Sequence, residues 1–333
     1  MNGQSGGMAT YDFLELSQSA RIAAIGGNFL AVRDNDITLA LANPSLVTPE
    51  MHKNLAMNFV IFPGIKYGSC VYSHTFKKAG SFTGGIQFVS TGTIKRYDAS
   101  ENPLGEFSAN EMAFHVGWGR QLSPHFSIGA NGKLIYSQLE EYNSFGIAFD
   151  VAGSYWTLDN AFTASLIGRN IGAQLDPYRP GQYEALPFEI QIGLTEQLKH
   201  IPVRFYQLLT HLQRWDLSYT DPNNPSNQAD PITGQTEEKS GLARFADNLM
   251  RHIVIGAEVT IAKVLAIRLG YNYLKRQEMK LYTKSGLAGF SVGIGLRVKM
   301  FSIGYTYAKY QPGKLNPNYF TLAINFGEFT RKK

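Results

Sequence analysis

Gly289-Phe290-Ser291-Val292-Gly293 has the G-x-S-x-G spacing of a hydrolase nucleophile. That chemistry needs a sharp strand-to-helix turn that lifts the serine hydroxyl out of the backbone. Here the motif lies inside a run that alternates apolar and small residues, so Ser291 reads as one face of a strand. The seven histidines, His52, His74, His115, His125, His200, His211 and His252, are dispersed and contain no H-E-x-x-H spacing. Glu111 and His115 stand four apart, on one face of a strand but too far apart for a tight metal pair. Glu140-Glu141 and Glu237-Glu238 read as solvated loop carboxylates. Cys70 is the only cysteine, which excludes an intramolecular disulfide and a cysteine metal cage. There is no P-loop and no convincing G-x-G-x-x-G. No catalytic residue, metal ligand or cofactor site is therefore assigned, and the expectation is that the chain is not an enzyme.

The elements around the serine motif explain it. Over 287–299, Phe290, Val292, Ile294, Leu296 and Val298 fall on one side, with Gly289, Ser291, Gly293, Gly295, Arg297 and Lys299 on the other. Phe301, Ile303, Tyr305 and Tyr307 repeat the pattern, as do Phe320, Leu322, Ile324 and Phe326. Successive strand side chains point to opposite faces, so each run has one greasy face and one face of Gly, Ser, Thr and Asn. Apolar toward lipid and polar toward a lumen is the pattern of a membrane barrel strand.

Segments of this kind occupy 51–62, 65–77, 81–93, 107–121, 125–139, 142–157, 161–170, 186–198, 203–218, 251–262, 265–276, 287–299, 301–310 and 317–328. The pattern is weakest over 203–218, where Arg204, Gln207, His211, Arg214 and Asp216 interrupt it. With the first strand running outward, the connections 78–80, 122–124, 158–160, 199–202, 263–264 and the junction at Met300 are tight. Those at 94–106, 171–185, 219–250, 277–286 and 311–316 are mostly long, and 63–64 and 140–141 are short exceptions. Short turns at one end and long loops at the other are the asymmetry of outer-membrane barrels. The predicted fold is all-β, a transmembrane antiparallel barrel of about 14 strands.

Composition agrees. Of 333 residues, 13% are aromatic, 17% are charged and 33 are glycine. A mean hydropathy of -0.17, with no apolar run of helix-spanning length, excludes a bundle of membrane helices. The net charge of +5 is mild, and no basic cluster with aromatic spacing points to nucleic acid. A barrel needs export, yet residues 1–8 lack a charged start and an apolar core. The chain is therefore expected to be a mature form with a start methionine added or retained.

Residues 1–50 differ from the rest and are expected to form a plug or hatch for the barrel of 51–333. Ser19 to Gly27 suggests a short helix ending at a glycine cap, and Ile37 to Ala42 another, stopped by Asn43-Pro44. Phe29, Leu30, Ile37, Leu39, Leu41 and Leu46 need burial, and the lumen is the largest protected volume available. At the other end, loop 219–250 opens with Asp221-Pro222 and closes with Leu242, Phe245 and Leu249 at helical spacing. These five residues are the candidate partner-docking loop.

Asp34-Asn35-Asp36-Ile37-Thr38-Leu39-Ala40-Leu41-Ala42-Asn43-Pro44-Ser45-Leu46 resembles the N-terminal plug of the FadL-like outer-membrane proteins. The wider run from Tyr11-Asp12-Phe13-Leu14 to Lys66-Tyr67-Gly68 is similar to the PorV/PorQ branch of that family. Pro49-Glu50-Met51-His52 looks most like the PorQ type of the Bacteroidota type IX secretion system. The motifs cover about the first seventy residues, and the remainder agrees by architecture. The resemblance implies a non-enzymatic anchor in the bacterial outer membrane, part of an attachment complex. A PorZ-like surface protein would be the partner, with PorU and PorV nearby, where cargo is processed and joined to lipopolysaccharide. Asn43 and Pro44 carry over as plug-turn residues. FadL-like proteins also include passive transporters of hydrophobic small molecules, which is the second expectation. Inward glycines such as Gly293, Gly295 and Gly304 leave room for it. The family's usual terminal aromatic is not last here, because Thr330-Arg331-Lys332-Lys333 follow Phe329.

Overall fold

A computed structural model describes residues 9–218, 240–279, 286–309 and 316–330. Among these residues sixteen strands form: β1 (Asn54–Phe62), β2 (Ile65–Phe76), β3 (Gly80–Ser90), β4 (Ile94–Tyr97), β5 (Pro103–Phe107), β6 (Ala109–Ser123), β7 (Phe126–Leu139) and β8 (Tyr142–Trp156). After them come β9 (Phe162–Asp176), β10 (Glu189–Gln197), β11 (Val203–Leu209), β12 (Ile253–Ile261), β13 (Leu265–Asn272), β14 (Phe290–Val298), β15 (Phe301–Ala308) and β16 (Asn318–Asn325). Fourteen of them make one closed antiparallel barrel, each paired with its neighbours in sequence, except that β3 pairs with β6. Closure is between the first and last strands, Asn54 opposite Asn325 through Ile61 opposite Asn318. Closure leaves no unpaired edge, which is what allows strands to cross hydrocarbon. No helix among the described residues is long and apolar enough to cross a membrane.

The predicted alternation is realised. Phe59, Ile61, Val116, Leu134, Leu166 and Leu269 are exposed on the outer face. Their neighbours Asn58, Ser69, Gln87, Asn131, Ser165 and Gln191 are buried on the inner face. Ser291 is one of the latter: it lies in β14 opposite Ala308 and Gly270, in extended backbone rather than at a nucleophile elbow.

The structure corrects several boundaries. Connection 94–106 is not plain loop, because β4 and β5 pair there as a separate hairpin. The segment 203–218 holds strand only to Leu209. His211 adopts a left-handed backbone (φ 57°), and its N–H goes to the Glu189 carboxylate instead of the ladder. The seventh segment runs on to Asp176, past a register shift opposite Asp150. There Asn170 is left-handed and its N–H bonds the Asp150 side chain at 2.8 Å. The strand expected to reach 276 stops at Asn272, whose side chain accepts from Lys275 N–H and starts a helical turn, Tyr273–Met279. The first strand starts at Asn54 rather than residue 51, since Pro49–Met51 is a 3-10 turn.

Candidate functional site

Residues 10–51 lie against the inner face of the barrel, and nearly all are buried. They form short pieces only. Helix α1 (Ala20–Ala24) is capped by Ser19, whose hydroxyl accepts from Ile22 N–H, and ends at left-handed Gly26. Three 3-10 turns follow: Ile37–Leu39 capped by Asp36, Pro44–Leu46 capped by Asn43, and Pro49–Met51.

So irregular a backbone leaves many N–H and C=O groups without ladder partners. Inward polar side chains of the wall supply them. Thr306 donates to Ala20 O at 2.7 Å, and Thr321 accepts from Ala20 N at 2.9 Å. Asn272 donates to Gly26 O at 2.9 Å, Gln87 to Phe13 O at 2.6 Å, and Tyr67 to Ser17 O at 3.1 Å. The Ser, Thr, Asn and Gln face read from the sequence as lumen-facing thus serves as hydrogen-bonding partner to this segment.

The inward glycines do the complementary job. A Cβ at Gly293 would meet Ala24 at 2.6 Å, at Gly193 Phe29 at 2.6 Å, at Gly85 Leu41 at 2.9 Å, and at Gly119 Val47 at 2.8 Å. At Gly129 it would fall on the Pro44 carbonyl, and at Gly270 on that of Ile25. These glycines sit in six different strands around the wall. The room expected at Gly293 is occupied by α1. Gly304 also faces α1, through Ala20, and Gly295 is filled by the Arg268 guanidinium.

Asn43 is fully buried. Its Oδ1 accepts from Ser45 N and Oγ at 3.2 and 2.6 Å, and its Nδ2 donates to Leu30 O at 3.2 Å. Pro44 follows at the first position of the turn, where its missing N–H costs nothing. The wall completes the turn: Ser127 donates to Ser45 O at 2.5 Å, and Ser45 Oγ meets Ser154 Oγ at 2.6 Å.

An ionic network not foreseen from the sequence ties α1 to the wall near the short-turn end. Arg21 pairs with Asp34 (2.7 Å), Asp36 (2.9 Å) and Glu258 (3.1 Å). Arg204 pairs with Asp34 and Glu258, both at 3.1 Å, and Arg268 with Glu258 at 2.5 Å. Burial alone would raise the Asp34 carboxyl, but the Arg21 and Arg204 charges hold it well below the usual carboxylate range. Arg204, Glu258 and Arg268 are charges in the middle of barrel strands at inward positions, and that was the available signal. A cavity of about 260 Å³ adjoins the network, lined by Lys263, Arg268 and Arg297 among others. A second of about 580 Å³ is lined by Glu50, Lys53 and Lys299. Elsewhere in the wall, Lys133 and Asp150 form a buried pair at 2.7 Å, beside His115 and Asn131.

With this geometry the chain can be set beside known proteins. No protein-family model matches it, and no curated protein does. Solved structures do. The closed barrel is similar in fold to two solved toluene transporters. The Pseudomonas putida toluene transporter TodX is similar over 92% of this chain and 96% of its own, at 10% identity and a TM-score of 0.52. The Ralstonia pickettii toluene transporter TbuX is similar over 95% and 98%, at 8% identity and 0.51. A deltaS2 mutant of TodX, described as a monoaromatic hydrocarbon channel, gives 94% and 98%, at 9% identity and 0.53. At these identities the likeness is one of fold.

At the long-loop end, Leu242, Phe245 and Leu249 lie on helix α2 (Gly241–Arg251), and all three are exposed, Leu242 by 79%. Trp215 packs on Phe245 with ring centroids 5.3 Å apart and stacks on His252 at 5.5 Å. Arg251 bonds Asp247 at 2.9 Å and Leu217 O at 3.2 Å, and Tyr273 donates to Asp247 at 2.7 Å. The helix is thus fixed to the rim with apolar side chains outward. Asp221 and Pro222 lie outside the described residues.

Proposed function

We propose that this chain is an integral outer-membrane barrel closed by its own N-terminal segment, acting as a non-enzymatic anchor for a surface protein. The observation that carries this is the seating of residues 10–51 on inward glycines around the wall. A segment whose backbone and apolar side chains are mostly taken up by the wall acts as a fixed plug, leaving the outer rim as the working surface. On the rim, α2 presents Leu242, Phe245 and Leu249 to solvent, which is where an apolar partner surface would dock. The resemblance of the first seventy residues to the PorV/PorQ branch supplies the partner: a PorZ-like protein of a type IX attachment complex, with PorU, PorV and lipopolysaccharide in the same assembly.

Deleting 221–249, which removes Leu242, Phe245 and Leu249, tests this. The barrel should still assemble and show heat-modifiable gel mobility, while the surface partner is released. A partner that stays bound would move the dock to loops 94–106 and 171–185.

A second reading is passive transport of hydrophobic small molecules, favoured by the fold shared with TodX and TbuX. Against it stand the charged linings of the two cavities beside the ionic network, which suit an apolar solute poorly. Liposome uptake of toluene by the purified barrel would separate the two readings.

A further inference from the structure

Three side chains from three separate elements meet near the long-loop end of the lumen. Glu15 ends the 3-10 turn Asp12–Glu15 of the N-terminal segment, Glu189 opens β10, and His211 lies two residues past β11. Each offers one ligand atom, and the three atoms lie within 4.8 Å of one another. The arrangement is held from behind. Glu189 is 1% exposed, and its Oε1 accepts the His211 backbone N–H at 3.1 Å. Its other oxygen faces Asn28 Nδ2 at 3.5 Å. His211 Nδ1 stands 3.3 Å from Glu189 Oε1, and this nitrogen is buried without a hydrogen-bond partner.

Two carboxylates at this separation, beside a ring nitrogen that no donor satisfies, are relieved by a bound proton or by a cation among them. Arg169 is near, but its guanidinium donates to backbone, to Leu14 O at 3.2 Å and Asn28 O at 3.4 Å. Among the described residues it makes no ion pair with either glutamate. Burial, with the Glu189 and Asp12 charges behind it, pushes the Glu15 carboxyl up to about 8.

We propose that Glu15, Glu189 and His211 form a site for a divalent cation of the zinc class, which fastens the N-terminal segment to the barrel wall at β10 and β11. Two carboxylate oxygens and one imidazole nitrogen suit zinc, and exclude soft cations that need thiolates. Metal–ligand bonds of about 2.0–2.2 Å at tetrahedral angles put ligand atoms about 3.3–3.6 Å apart, so the widest separation in the set closes by roughly an ångström on binding. Glu15 and His211 are only half-buried, which leaves the ion an entry path and a coordination position for water. The proposal holds whether the barrel anchors or transports.

The test is isothermal titration of the full chain in detergent, stripped with chelator, with zinc chloride as the only added ligand. One equivalent per chain is expected. Glu15→Gln and His211→Asn should each weaken binding at least tenfold while keeping heat-modifiable mobility. Asparagine is chosen because it tolerates the left-handed backbone at 211. Hydrogen exchange over 10–27 should slow when zinc is added to the parent chain and not change in Glu15→Gln. Substoichiometric binding by the parent chain would overturn the proposal. So would binding that both variants leave intact, which would assign the zinc to surface histidines.

Discussion

Arg21 touches three carboxylates, two from its own N-terminal segment and one from a wall strand, so its removal strands negative charge in a buried place. Breaking such a network by removing one partner costs about 3–5 kcal/mol. Arg21→Met should lower the urea midpoint of the barrel by an amount corresponding to that loss, and Lys at the same place should recover only part, since it lacks the fork. Two carboxyls of the N-terminal segment predict opposite pH slopes. Asp34 has a folded pKa below its ordinary value, so its stabilisation is present above about pH 4 and is lost as the solution is acidified. Glu15 is raised to about 8, so its contribution is complete below about pH 4 and is lost as pH rises through 8. In metal-free protein, Asp34→Asn should flatten the acid side of the stability profile and Glu15→Gln the alkaline side. Both are measured by unfolding midpoints across pH. At this scale the sequence was least informative. Arg21, Asp34 and Glu258 are 13 and 237 positions from one another along the chain in their Arg21 contacts, and only barrel closure joins them.

At the scale of elements, the N-terminal segment is seated by glycines whose missing Cβ makes room for its backbone. Gly129→Val and Gly270→Val should each unseat it at a cost of about 1–3 kcal/mol from overpacking. Limited proteolysis would read this as new cleavage within 10–51 with the barrel intact. Asn43→Ala should cost about 1 kcal/mol for the lost cap, and more because Leu30 O then loses a buried donor. The small pieces were legible: Ser19 and Gly26 bound α1, and Asn43-Pro44 opens a turn. What periodicity could not give was the use of the glycines. The alternation places Gly293 inward but carries no signal of which chain segment rests on it. The same limit explains 203–218, where local polarity warned of a break but Glu189, from another strand, supplied it.

For the whole molecule, the barrel and its strand number were legible in the period-two pattern and the spacing of turns, while several strand ends were not. The pattern is legible because lipid and lumen impose the same two-sided demand on every strand. The proposed docking surface was legible only as an amphipathic spacing at Leu242, Phe245 and Leu249. Their exposure on a helix fixed to the rim is a tertiary fact. Substituting all three with serine should leave the barrel folded and lower partner recovery at least tenfold. In planar bilayers the parent barrel should show no steady conductance, whereas a chain lacking 9–51, if it inserts, should conduct.

The most direct measurement is a gentle detergent pull-down of the tagged barrel from its native outer membrane, followed by mass spectrometry. The account predicts a large surface protein recovered in near-equal amount, of the PorZ type. A barrel that arrives alone, carrying fatty acid or another apolar molecule, would contradict it and make the chain a transporter.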